Sequence, residues 1–203
     1  MSVSLIKKLS VLLIFLNFTV FLSTDTHPFI KNVRSAIEGI VPFKVSFEAA
    51  VVNEGQTEIE ESGIIYFKSQ DHLKWIYQDP DFKVFLLEGE KYQFYEEDNE
   101  QLTIGHINDS KQHWIWQLIF ASNYQDFITC DLKDKIITIL NKDDDLHVVI
   151  YLNDRLLPRK VVQYDPSGLT LIHRFKDYQA RVVLTKKDMQ LKVPKGIDIV
   201  RLQ

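Results

Sequence analysis

"LKWIYQDPDFKVFLLEGEKYQFYEEDNEQLT", residues 73–103, holds three short runs of large apolar and aromatic residues separated by turn residues at nearly regular intervals. Within each run the large residues alternate. Leu73, Trp75 and Tyr77 share one face, Phe85 and Leu87 share one face of the next run, and Tyr92 and Phe94 share one face of the third. Period-two alternation with aromatic and β-branched enrichment predicts strands. The connectors "QDPD" (78–81), "EGE" (88–90) and "EEDNE" (96–100) are compact and polar, so the strands should be consecutive antiparallel hairpins. Side by side in register, they would present one broad aromatic and aliphatic surface.

The same pattern extends in both directions. It begins at Phe43 with "FKVSFEAAVV" and "GIIYFK", which add Phe47, Ile65 and Phe67 to the apolar face, and continues through "QLTIGHI". A second strand series is expected from about residue 125 to 193, punctuated by "NKDDD" and "YDPSG". In the latter, Asp165, Pro166 and Gly168 suit positions i, i+1 and i+3 of a type I turn. The count of roughly ten to eleven strands exceeds what a short flat sheet accommodates and predicts a strongly curved sheet or barrel in a mainly β, α+β fold.

Two segments break the alternation. "THPFIKNVRSAIEG" reads as a helix, with Pro28 suited to the first turn, Phe29, Val33, Ala36 and Ile37 on one face, and Gly39 at the expected C-terminal cap. "NDSKQHWIWQLIFAS" has a capping-box pattern at Asp109 and Gln112, followed by a stretch from Trp114 to Phe120 that is apolar except at Gln117. A helix with almost no polar face must be enclosed. Either it packs permanently on the sheet, or it is a plug, with Trp114 and Leu118 filling a cavity that another molecule can also fill.

Lys7 and Lys8 precede an apolar run from Leu9 to Leu22 that ends in Ser23 and Thr24, the layout of a secretory signal peptide over residues 1–24. The run is shorter than the ~20 residues of a spanning helix. Residues 25–203 then form a single domain. Removing the leader takes away Lys7 and Lys8 and no acid, leaving 22 basic against 28 acidic residues and a net charge of −6. That balance disfavours nucleic acid and anionic membrane surfaces as partners. Cys130 is the single cysteine, so no internal disulfide forms, and it stands far from any lipidated leader junction. The expectation is a soluble monomer outside the cytoplasm, most simply in a bacterial periplasm.

The sequence has no Gly-x-Ser-x-Gly elbow, no P-loop and no Gly-x-Gly-x-x-Gly, and no two histidines stand at metal-ligand spacing. The acidic run Asp143 to Asp145 lacks the alternation and glycine of a calcium loop. Neither a catalytic residue nor a metal or other cofactor is expected.

"GIIYFKSQDHLKWIYQDPDFKVFLLEGEKYQFYEEDNEQLT" resembles the central signature of the periplasmic outer-membrane lipoprotein carrier family, LolA: a Gly-led strand, a basic-aromatic-Trp strand, a Pro turn, an apolar strand ending in acidic-Gly, and a Tyr-containing strand ending in Glu-Gln. "LLPRKVVQYDPSGLTLIHRFKDYQ" and "VPKGIDIV" resemble the family's last hairpin and closing strand. The resemblance implies a curved, incomplete antiparallel β-barrel closed by helices. Its cavity would carry lipoprotein acyl chains from an inner-membrane ABC exporter to an outer-membrane receptor. The implied cavity wall is Phe47, Ile65, Phe67, Leu73, Trp75, Tyr77, Phe85, Leu87, Tyr92 and Phe94, and the implied lid is Phe29, Val33, Ile37, Trp114 and Leu118. Where the family has an Arg linking barrel and lid, followed by Pro, this chain has Ser69 and Gln70. The alternative is a LolA-like binder or sensor of another amphiphile, a free lipid or a lipoprotein, without exporter-coupled loading.

Overall fold

A computed structural model describes residues 28–106, 128–141 and 146–202. The expected signal peptide (1–24) and the expected second helix (114–120), with Trp114 and Leu118, lie outside the described residues.

Among the described residues one helix, α1 (Pro28–Glu38), precedes twelve strands: β1 (Phe43–Asn53), β2 (Gln56–Ser69), β3 (His72–Asp79), β4 (Lys83–Glu88), β5 (Lys91–Glu96), β6 (Gln101–His106), β7 (Ile128–Asp131), β8 (Ile136–Asn141), β9 (Leu146–Leu152), β10 (Pro158–Tyr164), β11 (Thr170–Ala180) and β12 (Asp198–Arg201). All twelve belong to one sheet in the order β12-β6-β5-β4-β3-β2-β1-β11-β10-β9-β8-β7, whose end strands do not pair with each other. The count exceeds the expected ten to eleven by virtue of short edge strands. Register breaks in β1, β2 and β10 bend the sheet, since an extra residue on one strand kinks it and raises its twist. One such extra residue is Asp177, whose φ of 54° returns Tyr178 to the face that carries Phe175.

The hairpins follow from their turn residues. Glu88 pairs with Lys91 across a two-residue loop led by Gly89 in the left-handed region (φ 66°). Asp165 accepts at its backbone carbonyl from the Gly168 N–H (3.0 Å) and at Oδ1 from the Ser167 N–H (2.8 Å), the type I turn that "YDPSG" predicts. Helix α1 starts at Pro28 as expected and buries Ile30, Val33 and Ile37, while Phe29 and Ala36 are half-buried against the same core. Gly39 donates to the Ser35 carbonyl, but its φ lies outside the left-handed region, so it is not the αL cap its position suggests.

The second strand series ends at Ala180, not near 193. Residues 181–197 instead form a strap that crosses six strands, from β11 to the β6 edge, where β12 makes the sheet's one parallel pairing. The strap runs over the outer face. Its first residues donate to the carbonyls of Ile40 and Pro42, and Lys74, which points outward between Leu73 and Trp75, donates from Nζ to the carbonyls of Asp188 (3.1 Å) and Gln190 (2.8 Å). This explains why "KVFLLE" lacks clean alternation: Phe85 and Leu87 face the core, while Val84 and Leu86 are also buried, with Leu86 beside Leu184, Met189 and Leu191 of the strap. Lys74→Met keeps the aliphatic stem and removes the donors. Losing roughly 1 kcal/mol of local hold is expected to speed tryptic cleavage at Lys186 and Lys187 about fivefold. An unchanged cleavage rate would mean that apolar contacts and the β12 pairing hold the strap unaided.

Candidate functional site

Sheet register assembles the aromatic residues into rows across the concave face. One row runs Phe43, Phe67, Leu73, Leu87, Tyr92, and the next Val45, Ile65, Trp75, Phe85, Phe94. A third runs Phe175, Phe47, Gly63, Tyr77, Lys83. Eight of the ten expected wall residues are buried; Tyr77 and Phe94 are half-buried and pack on the same cluster. Trp75 is the largest of the nearly inaccessible side chains, at 1% exposure.

The rings interlock by edges and faces. Phe47 stands edge-on to Trp75 (5.2 Å between centroids) and to Tyr77 (5.0 Å), Phe43 stacks on Phe67 (4.8 Å), and Phe85 on Tyr92 (5.5 Å). Such pairs add to area burial because the negative face of one ring meets the positive edge of another. Two glycines make room. The Phe47 ring lies over Gly63 and the Tyr92 ring over Gly105, where an added Cβ would come within 2.8 Å of each ring. Helix α1 closes part of the face, with Ile30, Val33 and Ile37 in the same buried cluster as Trp75, Leu73 and Leu87.

The face is wider than the first sequence run indicates. Phe43, Val45 and Ala49 of β1, His173 and Phe175 of β11, and Val161, Ile150 and Ile137 farther along complete it. Alternation in "FKVSFEA" and "LIHRFKDY" carried that signal. Which end of the second series joins β1 is not a local property, so the strip from β11 onward could not be added to the wall by alternation.

Polarity is concentrated at one end. The row beyond Phe175 and Phe47 runs Val161, His173, Ala49, Glu61. Glu61 accepts a hydrogen bond from Lys83 Nζ at 2.7 Å, and this contact raises the Lys83 pKa. Burial, reinforced by the Glu61 charge, holds the Tyr77 hydroxyl well above the ordinary phenol range. His173 is the one polar or charged residue among the described buried core side chains, 6% exposed, and burial lowers its pKa to about 4, so the imidazole is neutral at physiological pH. Ser69, at the position of the family's lid-linking Arg, donates its hydroxyl to Asp71 Oδ1 (2.6 Å) within its own turn, and Lys68 is exposed on the outer face.

The concave face of the curved open sheet, partly roofed by an amphipathic helix, defines a half-barrel with a continuous apolar lining. No family model matches the chain. A curated outer-membrane lipoprotein carrier protein from Helicobacter hepaticus is 22% identical over 165 residues, covering 81% of this chain and 86% of that protein. One of the same name from Nitrosospira multiformis is 27% identical over 92 residues, 45% of this chain and 44% of that protein. Among solved structures, an uncharacterized conserved protein from Thermus thermophilus shares the fold, with a TM-score of 0.54 at 12% identity over 86% of this chain and 98% of that one. In sequence the chain is similar to outer-membrane lipoprotein carrier proteins.

Proposed function

We propose that this protein is a soluble periplasmic carrier that takes the acyl chains of lipoproteins into the chamber beneath α1 and ferries them from the inner to the outer membrane. The observation that carries the reading is the continuous apolar wall from Tyr92 to Phe175, far broader than the single described helix that covers part of it. The carrier names of relatives matched over four-fifths of the chain support it. Each buried methylene of an acyl chain contributes ~0.8 kcal/mol, so several fully buried chains in an empty chamber would bind too tightly to be handed on. Where loading displaces a helix already seated on the wall, net affinity is a difference between two apolar contacts, and release becomes feasible. Broad rings suit this role because they accept chains of varied shape without directional bonds.

Transfer partners would be an inner-membrane ABC exporter and an outer-membrane receptor. One observation favours the second reading, a LolA-like binder or sensor of another amphiphile without exporter-coupled loading. Ser69 commits its hydroxyl to Asp71 in place of a guanidinium that could tie the sheet to a lid. The deciding experiment mixes the mature protein with a synthetic diacylated lipopeptide or with phospholipid vesicles and analyses the soluble fraction by gel filtration and mass spectrometry. A stoichiometric soluble lipopeptide complex is the carrier's expected result. Retention of phospholipid alone would move the function to the second reading, and retention of neither would overturn both.

A further inference from the structure

The wall contains a buried imidazole nitrogen that its described surroundings do not explain. His173 Nε2 is buried and has no hydrogen-bond partner among the described residues. Its ring is enclosed by other rings: Trp75 edge-on at 5.1 Å, Phe47 at 6.1 Å and Phe175 at 6.2 Å, and none of them hydrogen-bonds to Nε2. Buried polar side-chain atoms are satisfied in the large majority of native structures, so such an exception calls for a cause. A phenylalanine would pack among these rings without that cost.

Position supplies the cause. His173 lies opposite Ala49, which lies opposite Glu61, so it stands in the row where the wall changes from aromatic to charged. On its apolar side are the rows of Phe47 and Trp75, suited to hydrocarbon. Two strands along its own row is Glu61, paired with Lys83, suited to a hydrated head. An amphiphile lying along this gradient would place the junction between its chains and its head beside the imidazole. In a diacylated ligand that junction is an ester carbonyl, an acceptor with no proton of its own. A neutral imidazole with its proton on Nε2 offers the matching donor.

We propose that His173 is the polar anchor of the chamber, its Nε2–H donating to an ester carbonyl of a bound diacyl ligand, so that the site selects ester-linked acyl chains over ether-linked chains of equal length. The inference rests on the carrier reading and deepens it by naming the chemical group read within the ligand. It concerns specificity and leaves the bulk of the affinity to the apolar wall.

The test compares two probes, a diacylglyceryl lipopeptide with ester-linked palmitoyl chains and its dialkyl ether analogue, by equilibrium binding to wild type, His173→Phe and His173→Gln. Wild type is expected to prefer the ester by about tenfold, the scale of one hydrogen bond. His173→Phe should lose the preference whatever its overall affinity, and His173→Gln, which retains an N–H, should recover part of it. An ester-to-ether ratio that is the same in wild type and His173→Phe would overturn the proposal alone. Failure of wild type to bind either probe would overturn the carrier reading and this proposal with it.

Discussion

Trp75→Asp is expected to abolish uptake of a diacylated lipopeptide while the far-UV signature of the sheet survives. Trp75 occupies the middle of the wall, 1% exposed, with Phe47, Tyr77, His173 and Phe175 around it. A carboxylate there cannot share the space with hydrocarbon, because an isolated buried charge costs far more than chain burial returns. If the chamber is closed by a displaceable element, opening hydrates the carboxylate and the sheet stays folded in a form that no longer takes cargo. If the site is a permanently sealed core, even truncation to Ala costs ~3–5 kcal/mol, a large share of a domain's stability, and the Asp variant should unfold. Circular dichroism separates the two outcomes. A variant that has lost its β-structure at about 25 °C would remove Trp75 from any ligand chamber.

Gly63→Ala should be among the most damaging single-methyl additions in the sheet. A Cβ at this position would come 1.9 Å from the Ile76 carbonyl oxygen and 2.8 Å from the Phe47 ring, and the first of these is backbone held in the β2–β3 ladder. Relief requires β2 to separate from β3 where the register already shifts between Ser62 and Gly63, and the Phe47 ring must leave its place against Trp75 and Tyr77. Overpacking of this kind costs about 3 kcal/mol, which for a domain of this size lowers Tm by roughly 6–12 °C. Gly105→Ala is the internal comparison. The three atoms nearest its Cβ all belong to the outer end of the Tyr92 side chain, which is able to swing, so a drop of roughly 2–4 °C is expected there. Equal melting of Gly63→Ala and wild type in scanning calorimetry would show that the strands part at this point without penalty.

The run from Leu73 to Phe94 is legible residue by residue in the sequence because its information is local. Alternation assigns faces, and short polar loops force neighbouring strands together, so Leu73, Leu87 and Tyr92 fall in one row and Trp75, Phe85 and Phe94 in the next. The turn at Asp165 to Gly168 is legible for the same reason. Gly39 follows the helix end as its position predicts but takes no left-handed conformation, because proximity to a helix end does not dictate φ when the following residues, Ile40 and Val41, close the turn by bonding back to Ile37 and Glu38. The strap resembles strand in sequence because its apolar residues Leu184, Met189 and Leu191 are half-buried over the outer face of a sheet, an environment that imposes no period of its own.

By itself, then, the chain's order of residues determined the strands, their inward faces, the helix α1 and the aromatic character of the wall, all of which depend on residues a few positions apart. Only the tertiary structure decided that β11 lies against β1, that His173 thereby stands beside Trp75 in the row that leads to Glu61, and that Lys74 and Leu86 serve the outer face beneath the strap. These pairings join segments more than a hundred residues apart, Lys74 with Gln190 and Lys176 with Glu48 among them. Their choice rests on how much apolar surface each arrangement removes from water against the entropy of closing the intervening loop, a balance struck over the whole sheet and written in no single stretch of sequence.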